Sequence, residues 1–260
     1  MKPIAVTISG CAFCLVTPSF AQDSCRAESG NARAALLELY TSEGCSSCPP
    51  ADQELSQLRS KAGRGAVIVP LALHVTYWDG IGWKDAFAQE QFDLRQKLLS
   101  QHGGSQVIYT PQFFLNGREL RHWHGQLPDA IRKTNEQPAA ASIALKWTRT
   151  AGNSIEFDAV ATGRHALARQ VLHLAITESR LVSKVLRGEN GGATLVHDHT
   201  VRAWFAPVRL ANGRAQLHQA IRIPGNWNVQ NLQAVAFVQN LDDGIVQQAV
   251  SIGRCESGQH

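Results

Sequence analysis

The spacing of apolar residues changes at Gln137–Pro138, near the middle of this 260-residue chain. Before that point, short apolar runs alternate with segments whose apolar residues recur at helical intervals. After it, short strand-like segments follow one another with turn sequences between them. Alternating strands and helices are typical of an α/β sheet, and closely spaced strands are typical of a β-sandwich. We therefore predict an α/β domain at residues 22–137, followed by an all-β sandwich-like C-terminal domain at residues 138–260.

The first part is predicted in the order β-α-β-α-β-β-α. It has strands at 34–40 and 66–74, a hairpin at 112–120 around Asn116–Gly117, and helices at 49–61, 85–101 and 126–135. The second part is predicted to contain seven strands, at 141–147, 154–161, 171–178, 201–205, 215–223, 232–239 and 246–252.

The first 21 residues have the pattern of a signal peptide. Lys2 is their only charge, Ile4–Val16 is apolar, and Ser19–Ala21 offers small side chains before a cleavage point. We therefore predict removal of residues 1–21 and a periplasmic or secreted protein. The sequence ISGC, which ends at Cys11, resembles a lipoprotein cleavage box, so a lipid anchor there is the alternative. We expect no other membrane association.

The charge of the chain is mildly basic, with a formal net charge of +4 and a pI near 8.8. No block of Lys and Arg and no basic stripe with interleaved aromatic residues is present in the sequence. Because nucleic-acid binding needs such a basic surface, nucleic acid is excluded as a predicted partner.

Four cysteines remain after removal of the signal peptide, an even number in an exported chain: Cys25, Cys45, Cys48 and Cys255. Disulfides are therefore permitted. The simplest pairing joins Cys45 to Cys48 and Cys25 to Cys255, the latter as a structural bond between the two ends of the mature chain. A free or intermolecular pair is the alternative.

The Cys45–Cys48 pair has three physical uses. It could be a redox dithiol, half of a metal site, or an inert staple across a turn. It follows a predicted buried strand and opens a predicted helix, whose unpaired N–H groups and dipole would stabilise a thiolate. This context favours a thioredoxin-like redox motif.

Four stretches of the sequence resemble one family. They are "LLELYTSEGCSSCPPAD", "VIVPLALHVTYWDGIGWKD", "VIYTPQFFLNGRE" and "RGENGGATLVHDHTVRAWF". Together they are similar to the DUF1223 family of exported proteins. The resemblance covers nearly the whole mature chain. It implies a thioredoxin-like first domain and a β-rich C-terminal half, in a family without a firmly assigned activity.

Within the thioredoxin-like superfamily, the resemblance also implies site residues. Cys45 and Cys48 match the dithiol, and Pro111, preceded by Thr110, matches the cis-proline that faces it and binds the substrate backbone. Glu38 matches a buried carboxylate that takes the proton of the resolving thiol. An edge-strand acid that faces solvent is the alternative for Glu38.

The loop "LHVTYWDGIGW" follows the second predicted strand. Its aromatic residues Tyr77 and Trp78 are candidates for a substrate platform beside the dithiol, and the alternative is a packed loop that covers the core. His74, with Cys45 and Cys48, is a weak candidate for a site for Cu(I) or zinc. We otherwise predict no metal site.

Two further histidine pairs could bind a metal on a surface, His122 with His124 and His197 with His199. The sequence shows no third ligand for either pair, so we expect ordinary loop histidines.

The resulting functional prediction is an exported thiol–disulfide oxidoreductase of reductase or isomerase type, without a cofactor. Ser46 and Ser47 carry no charge that would further acidify the thiol, which argues against a strong oxidant. The predicted partners are thiols or disulfides of exported proteins and an unidentified electron-transfer partner. The alternatives are a periplasmic chaperone for Cu(I) or another metal, and a non-catalytic binding or structural protein with a stapled Cys-x-x-Cys.

Overall fold

The structure is a computed structural model that describes residues 24–150, 152–163 and 169–254. The predicted signal peptide lies outside the described residues. The first part of the chain forms β1 (Ser24–Glu28), β2 (Ala35–Thr41), α1 (Pro49–Lys61), β3 (Ile68–His74), α2 (Glu90–His102), β4 (Gln112–Leu115), β5 (Arg118–Glu119) and α3 (Leu127–Asn135).

The second part consists almost entirely of strands. It contains β6 (Ala141–Thr150), β7 (Ser154–Gly163), β8 (Gln170–Glu178), β9 (Leu181–Lys184), β10 (Thr194–His197), β11 (Thr200–Trp204), β12 (Val208–Arg209), β13 (Arg214–Arg222), a 3-10 turn (Val229–Asn231), β14 (Leu232–Asn240) and β15 (Val246–Gly253). None of the helices in the described ranges is long and apolar enough to cross a bilayer.

Strands from both parts of the chain form one nine-stranded sheet. Its order is β15-β14-β8-β11-β3-β2-β4-β5, and β12 also pairs with β8. β2 and β3 are parallel, and a bridge between Thr200 of β11 and Ala72 of β3 joins them to the later strands. A second sheet, β1-β6-β7-β13, also joins an early strand to later ones.

The predicted fold class, an α/β thioredoxin-like domain followed by an all-β sandwich-like C-terminal domain, is therefore wrong. The described residues are mostly β, and their principal sheet mixes strands from both predicted domains. Apolar spacing identifies each strand locally but carries no information about its distant partner, which explains the error. The main sheet crosses the predicted domain boundary at residue 137, and the division into two folding units stays a prediction.

Three apolar clusters hold the layers together. Side chains of β2 alternate between two faces of the sheet, as in any strand. Leu37 and Leu39 pack with Leu55 and Leu58 of α1, whereas Leu36 and Tyr40 share the opposite core with Phe92 of α2. The third cluster lies between the two sheets, with Trp147, Phe157, Leu174 and Ala236 among its members.

β9 and β10 form a separate two-stranded hairpin. Its burial alternates, because Val182 and Val196 are paired and exposed, whereas His197 on the other face is buried. Neither of its two strands was predicted from the sequence. β1 and β12 were also missed, and α2 begins at Glu90 instead of residue 85.

The predicted hairpin at Asn116–Gly117 is confirmed, and it also fixes β2 against β15. Asn116 has a φ of 47°, and its side chain accepts from the N–H of Leu36 and donates to the carbonyl of Ala34. The backbone N–H of Asn116 donates to the carbonyl of Leu36, and its backbone carbonyl accepts from the N–H of Val246. Gly117 has a φ of 84°, and a Cβ there would lie 2.0 Å from the carbonyl oxygen of Gly244.

Gly117→Ala is expected to destabilise the fold by more than the left-handed backbone alone would cost. That backbone costs an alanine roughly 1–2 kcal/mol, and the backbone of Gly244 cannot move away as a flexible side chain could. Denaturant unfolding of Gly117→Ala and Gly104→Ala measures the difference, since Gly104 has a φ of 78° with open space around it. Equal losses in the two variants would contradict the packing explanation.

Candidate functional site

The Cys45–Cys48 pair lies between the carboxyl end of β2 and the start of α1. The two residues form a disulfide with a Cα–Cα distance of 5.4 Å, which confirms the predicted pairing. Cys48 is the N-cap residue of α1, and prolines follow it at the first two helical positions, where no backbone donor is needed. The chain therefore passes from a buried strand through the disulfide loop into the helix.

Both cysteines are fully buried, although the two serines between them are exposed. The Sγ atom of Cys45 lies 3.3 Å from the hydroxyl of Ser47, which places Cys45 next to the accessible part of the loop. A reagent would therefore reach the disulfide most directly from the side of the serines.

The loop of the β9–β10 hairpin covers the disulfide loop through hydrogen bonds. The side chain of Asn190 donates to the carbonyls of Glu43 and Cys45, at 2.8 and 2.9 Å. The N–H of Ser46 donates to the carboxylate of Glu189 at 3.0 Å. We call residues 181–197 the covering hairpin. It comes from the second part of the chain, so the disulfide is enclosed by segments 140 residues apart or more.

Trp78 packs against the disulfide loop at Gly44. A Cβ atom on Gly44 would lie 3.2 Å from the Cβ of Trp78, which leaves little space for a side chain there. Trp78 also borders the core beneath α2 and is half-buried. Trp78 therefore lies beside the disulfide loop and also contacts the core, and its part in a substrate platform stays a prediction.

A carboxylate and an imidazole are joined directly beneath this loop. Oδ2 of Asp85 lies 2.6 Å from Nδ1 of His74, and the same oxygen accepts from the N–H of Glu43 at 2.8 Å. Oδ1 of Asp85 accepts from the N–H of Phe87. Both side chains of the pair are fully buried. Asp85 therefore fixes the orientation of His74 and ties the loop after β3 to the loop after β2.

His197 of the covering hairpin reaches the same place. Its Nε2 lies 3.3 Å from Oε1 of Glu43, and its Nδ1 lies 4.0 Å from Oδ2 of Asp52. The indole N–H of Trp83 donates to the other oxygen of Glu43. The rings of His74 and His197 are 5.0 Å apart in an edge-to-face arrangement. We call Glu43, Asp52, His74, Asp85 and His197 the buried ionisable cluster.

The pKa values in the cluster are shifted in directions that follow from burial and pairing. Burial raises the pKa of Asp52, and the His74 and His197 rings only partly oppose this. Burial alone would lower the pKa of His74, but the Asp85 carboxylate outweighs it and raises that pKa. Burial would raise the pKa values of Glu43 and Asp85, but their histidine partners hold both low.

Asp52 is the member of this cluster that lies on α1, directly after the disulfide loop. Its N–H donates to the carbonyl of Cys48 at 3.1 Å, so the two residues have the i,i+4 relation of a helix. Side chains with this relation lie on one helix face, with Cβ atoms about 5–6 Å apart. The side chain of Asp52 is 11% exposed. The fold therefore places a carboxylate of raised pKa on the same helix face as Cys48.

Glu38 lies on the other face of β2. It is fully buried and binds the Arg95 guanidinium of α2 through both oxygens, at 2.6 and 2.8 Å, and it accepts from the hydroxyl of Tyr40. Because α1 packs on the opposite face of the strand, this geometry favours a structural ion pair over the predicted proton-handling role. The alternative of a solvent-facing acid is wrong.

The predicted substrate-binding residues lie at the same edge of the sheet as the disulfide loop. The Thr110–Pro111 bond is cis, as predicted. Gln112, the first residue of β4, pairs with Tyr40 near the carboxyl end of β2, so Pro111 directly precedes β4 close to where the disulfide loop leaves β2. Tyr77 is partly exposed and donates to Gln96, and burial raises its pKa to about 12. A substrate-binding role for these residues stays a prediction.

The described residues contain no group of three or more His, Cys, Asp or Glu side chains arranged to hold a metal ion. In this structure Cys45 and Cys48 form a disulfide, and their candidate metal set with His74 stays a prediction. His122 and His124 are exposed loop residues, but His197 is buried, contrary to the expectation of a loop histidine.

The predicted bond between Cys25 and Cys255 involves a residue outside the described part of the chain. Cys25 is described, and its Sγ lies 3.7 Å from the carbonyl oxygen of Gly253. The pairing stays a prediction.

The family is decided by a match over most of the chain. A family model described as "Protein of unknown function (DUF1223)" matches residues 36–239. The chain belongs to the DUF1223 family. The match includes the disulfide loop, the five cluster residues and the whole covering hairpin. No curated protein matches the chain.

Two solved structures are similar to this DUF1223 chain over most of its length. Protein AGR_C_4864 from Agrobacterium tumefaciens is 22% identical, with a TM-score of 0.59, and the match covers 89% of this chain and 99% of that one. HBP35 of Porphyromonas gingivalis is 16% identical, with a TM-score of 0.64, covering 89% and 80%. At these identities the likeness shows the fold alone.

Sequence reasoning missed four of the five cluster residues as parts of one site. Asp52 could have been found, because it follows Cys48 by four residues at the start of a correctly predicted helix. His197 could not have been found from the sequence, because its position depends on how the covering hairpin folds back. At the end of that hairpin, the left-handed backbone of His199 and a hydrogen bond from the N–H of Arg180 to the side chain of Asp198 turn the chain from β10 into β11.

Glu38→Gln is expected to destabilise the protein by about 3–5 kcal/mol, because Arg95 would lose its buried counter-charge. It should leave the rate of disulfide reduction by dithiothreitol within about twofold of wild type. Glu136→Gln, which removes an exposed partner of Arg132, is the matched control and should leave stability nearly unchanged. Chemical denaturation and reduction kinetics test both points. A stable Glu38→Gln protein with altered reduction kinetics would instead support a role at the dithiol.

Asn190→Ala is expected to accelerate reduction of the Cys45–Cys48 disulfide by dithiothreitol, by roughly 30-fold. The variant loses two hydrogen bonds that hold the covering hairpin closed, each worth about 1 kcal/mol. Asn226→Ala, at an exposed loop position after β13, is the matched control. Equal reduction rates for wild type and Asn190→Ala would show that the hairpin does not limit access.

Proposed function

We propose that this protein is an exported thiol–disulfide oxidoreductase of reductase or isomerase type, which acts on disulfides of other periplasmic or secreted proteins. The observation that carries the proposal is the buried ionisable cluster beneath the Cys45–Cys48 disulfide. Burying charged groups and leaving polar atoms without partners costs stability, and such groups concentrate at functional sites. Within the described residues, Nε2 of His74 is buried without a hydrogen-bond partner.

The reaction exchanges one disulfide for another. The thiolate of reduced Cys45 attacks a substrate disulfide, and one substrate sulfur leaves as a thiolate that takes up a proton. The thiol of Cys48 then loses its proton, and its sulfur attacks Sγ of Cys45 in the mixed disulfide. The second substrate sulfur leaves, and the Cys45–Cys48 disulfide forms. A dithiol electron donor restores the reduced pair. No cofactor is needed for these steps.

Two features of the site support Cys45 as the attacking sulfur. Cys45 lies beside the exposed serines, whereas Cys48 begins the helix and shares its buried face with Asp52. Thr110 and Pro111 stand at the same sheet edge, where their backbone could hold an extended substrate segment by strand addition. Trp78 closes the inner side of the loop.

A structural disulfide is the second candidate, and one observation favours it. Both cysteines are fully buried in the oxidised protein, as expected for an inert staple. Under this alternative the covering hairpin never opens and the pair never cycles.

Reduced wild-type protein is expected to reduce or rearrange a model protein disulfide, such as that of insulin or scrambled ribonuclease. Cys45→Ser should be inactive, and Cys48→Ser should accumulate a mixed disulfide on Cys45, visible by mass spectrometry. The double variant Cys25→Ser/Cys255→Ser, which leaves no single thiol at that predicted pair, is the control for cysteine substitution elsewhere. Activity of Cys45→Ser equal to that of wild type would rule the proposal out.

The redox potential separates the two candidates independently of the substrate. Equilibration in glutathione buffers should give a midpoint between about −120 and −270 mV for a catalytic pair. A midpoint below about −300 mV would identify a structural disulfide, too stable to cycle against such a pool.

A further inference from the structure

We infer that Asp52 accepts the proton of Cys48 when Cys48 resolves a mixed disulfide, and that His197 of the covering hairpin positions and tunes this carboxylate. The inference rests on the proposed exchange function and names residues that carry one of its steps. It moves the role predicted for Glu38 to a different residue on a different element.

The placement of Asp52 is the first support. The helical hydrogen bond between Asp52 and Cys48 puts both side chains on one face of the first turn of α1. That face is turned toward the core, with Ala51 and Leu55. Bulk water has little access there, so a proton that leaves Cys48 needs an acceptor inside the protein.

Glu38 does not meet this requirement. Its two oxygens are occupied by Arg95, and a third contact comes from Tyr40. A carboxylate held in this way by a guanidinium is a poor base, because protonation would leave Arg95 without its counter-charge. Asp52 has no guanidinium or ammonium partner among the described residues, and its nearest charged neighbours are ionisable rings.

The groups that face Asp52 come from β2, β3, the loop after β3 and β10. They are Thr41 at the end of β2, His74 of β3, Asp85 in the loop after β3, and His197 of β10, whose other ring nitrogen contacts Glu43. The Asp85 carboxylate favours the protonated form of Asp52, and the two imidazoles favour its carboxylate. Burial raises the pKa of Asp52, which brings its proton affinity closer to that of a thiol than an exposed aspartate would be.

His197 links this carboxylate to the cover. The hairpin that shields the disulfide also carries the ring 4.0 Å from Asp52, and Ser183 on the neighbouring strand contacts Glu43. The ring of His74 lowers the pKa of Asp52 as well, and by more than the ring of His197, but His74 belongs to β3 and not to the covering hairpin. The hairpin therefore both closes over the sulfurs and completes the surroundings of their proton acceptor.

Oxidised glutathione serves as the test substrate for this reaction. Cys45 thiolate attacks glutathione disulfide, releases one glutathione and forms a mixed disulfide. Cys48 passes its proton to the Asp52 carboxylate and attacks Sγ of Cys45. The second glutathione leaves as a thiolate and takes a proton from solvent, and Asp52 returns its proton to solvent. Two protein thiols are oxidised, and one glutathione disulfide is reduced to two thiols.

The experiment measures the two steps separately, by rapid acid quenching and mass spectrometry of the reduced full-length protein with oxidised glutathione between pH 5 and 9. In Asp52→Asn the second step should slow by at least about tenfold near neutral pH, since a general base contributes about 10²–10⁴-fold. The first step, measured in a Cys48→Ser background, should stay within about twofold. Asp129→Asn, at an exposed position of α3, is the matched control.

The pH profile distinguishes a proton acceptor from a structural residue. As pH rises through the raised pKa of Asp52, more of it is the carboxylate, so the wild-type second step should accelerate there. Asp52→Asn should lack this inflection. His197→Gln should move it to higher pH, because the His197 ring lowers the pKa of Asp52. If Asp52→Asn does not fold, the shift in His197→Gln decides the question.

An unchanged second step in Asp52→Asn, an inflection that persists in that variant, or equal slowing of both steps would overturn the inference. An unmoved inflection in His197→Gln would overturn the role of His197. Failure of the proposed function looks different, because reduced wild type would then not act on protein disulfides even if both glutathione steps behave as described.

Discussion

The carboxylate of Asp85 holds the candidate site together. One of its oxygens binds both the imidazole of His74 and the N–H of Glu43, so the loops after two parallel strands converge on a single atom. Replacing Asp85 by an apolar residue would leave a buried imidazole and a buried N–H unpaired. Because this contact fixes Glu43, it also orients the carboxylate that His197 and Trp83 contact.

The cost of such a cluster explains the architecture around it. Five ionisable groups in a largely dry volume are stable only when the surrounding backbone is rigid and each charge has a compensating partner. The parallel β2 and β3 supply the rigid base, α1 supplies Asp52, and the covering hairpin supplies His197 from the far part of the chain. The nine-stranded sheet brings that distant hairpin back over β2 and β3, because the strands that flank the hairpin belong to the same sheet.

The local structure was largely predictable from the sequence, whereas the assembly was not. The bounds of α1 and the Asn116–Gly117 hairpin follow from apolar spacing, proline at the helix start and turn chemistry. The fold class failed because strand pairing is non-local: the bridge between Thr200 and Ala72 joins residues far apart in sequence. The partner of Glu38 was hidden for the same reason, since Arg95 lies 57 residues away.

Burial of both sulfurs and a redox role for them are compatible if the cover opens. In the closed state the hydrogen bonds of Asn190 and Glu189 hold the loop, and Val185 and His197 of the hairpin are buried. The outer face of the hairpin carries the exposed pair Val182 and Val196, which contributes little to keeping it closed. A substrate would lift the hairpin only by binding the open state more tightly than the closed one. An inert staple would need no such release, nor an ionisable side chain on the element that closes over it.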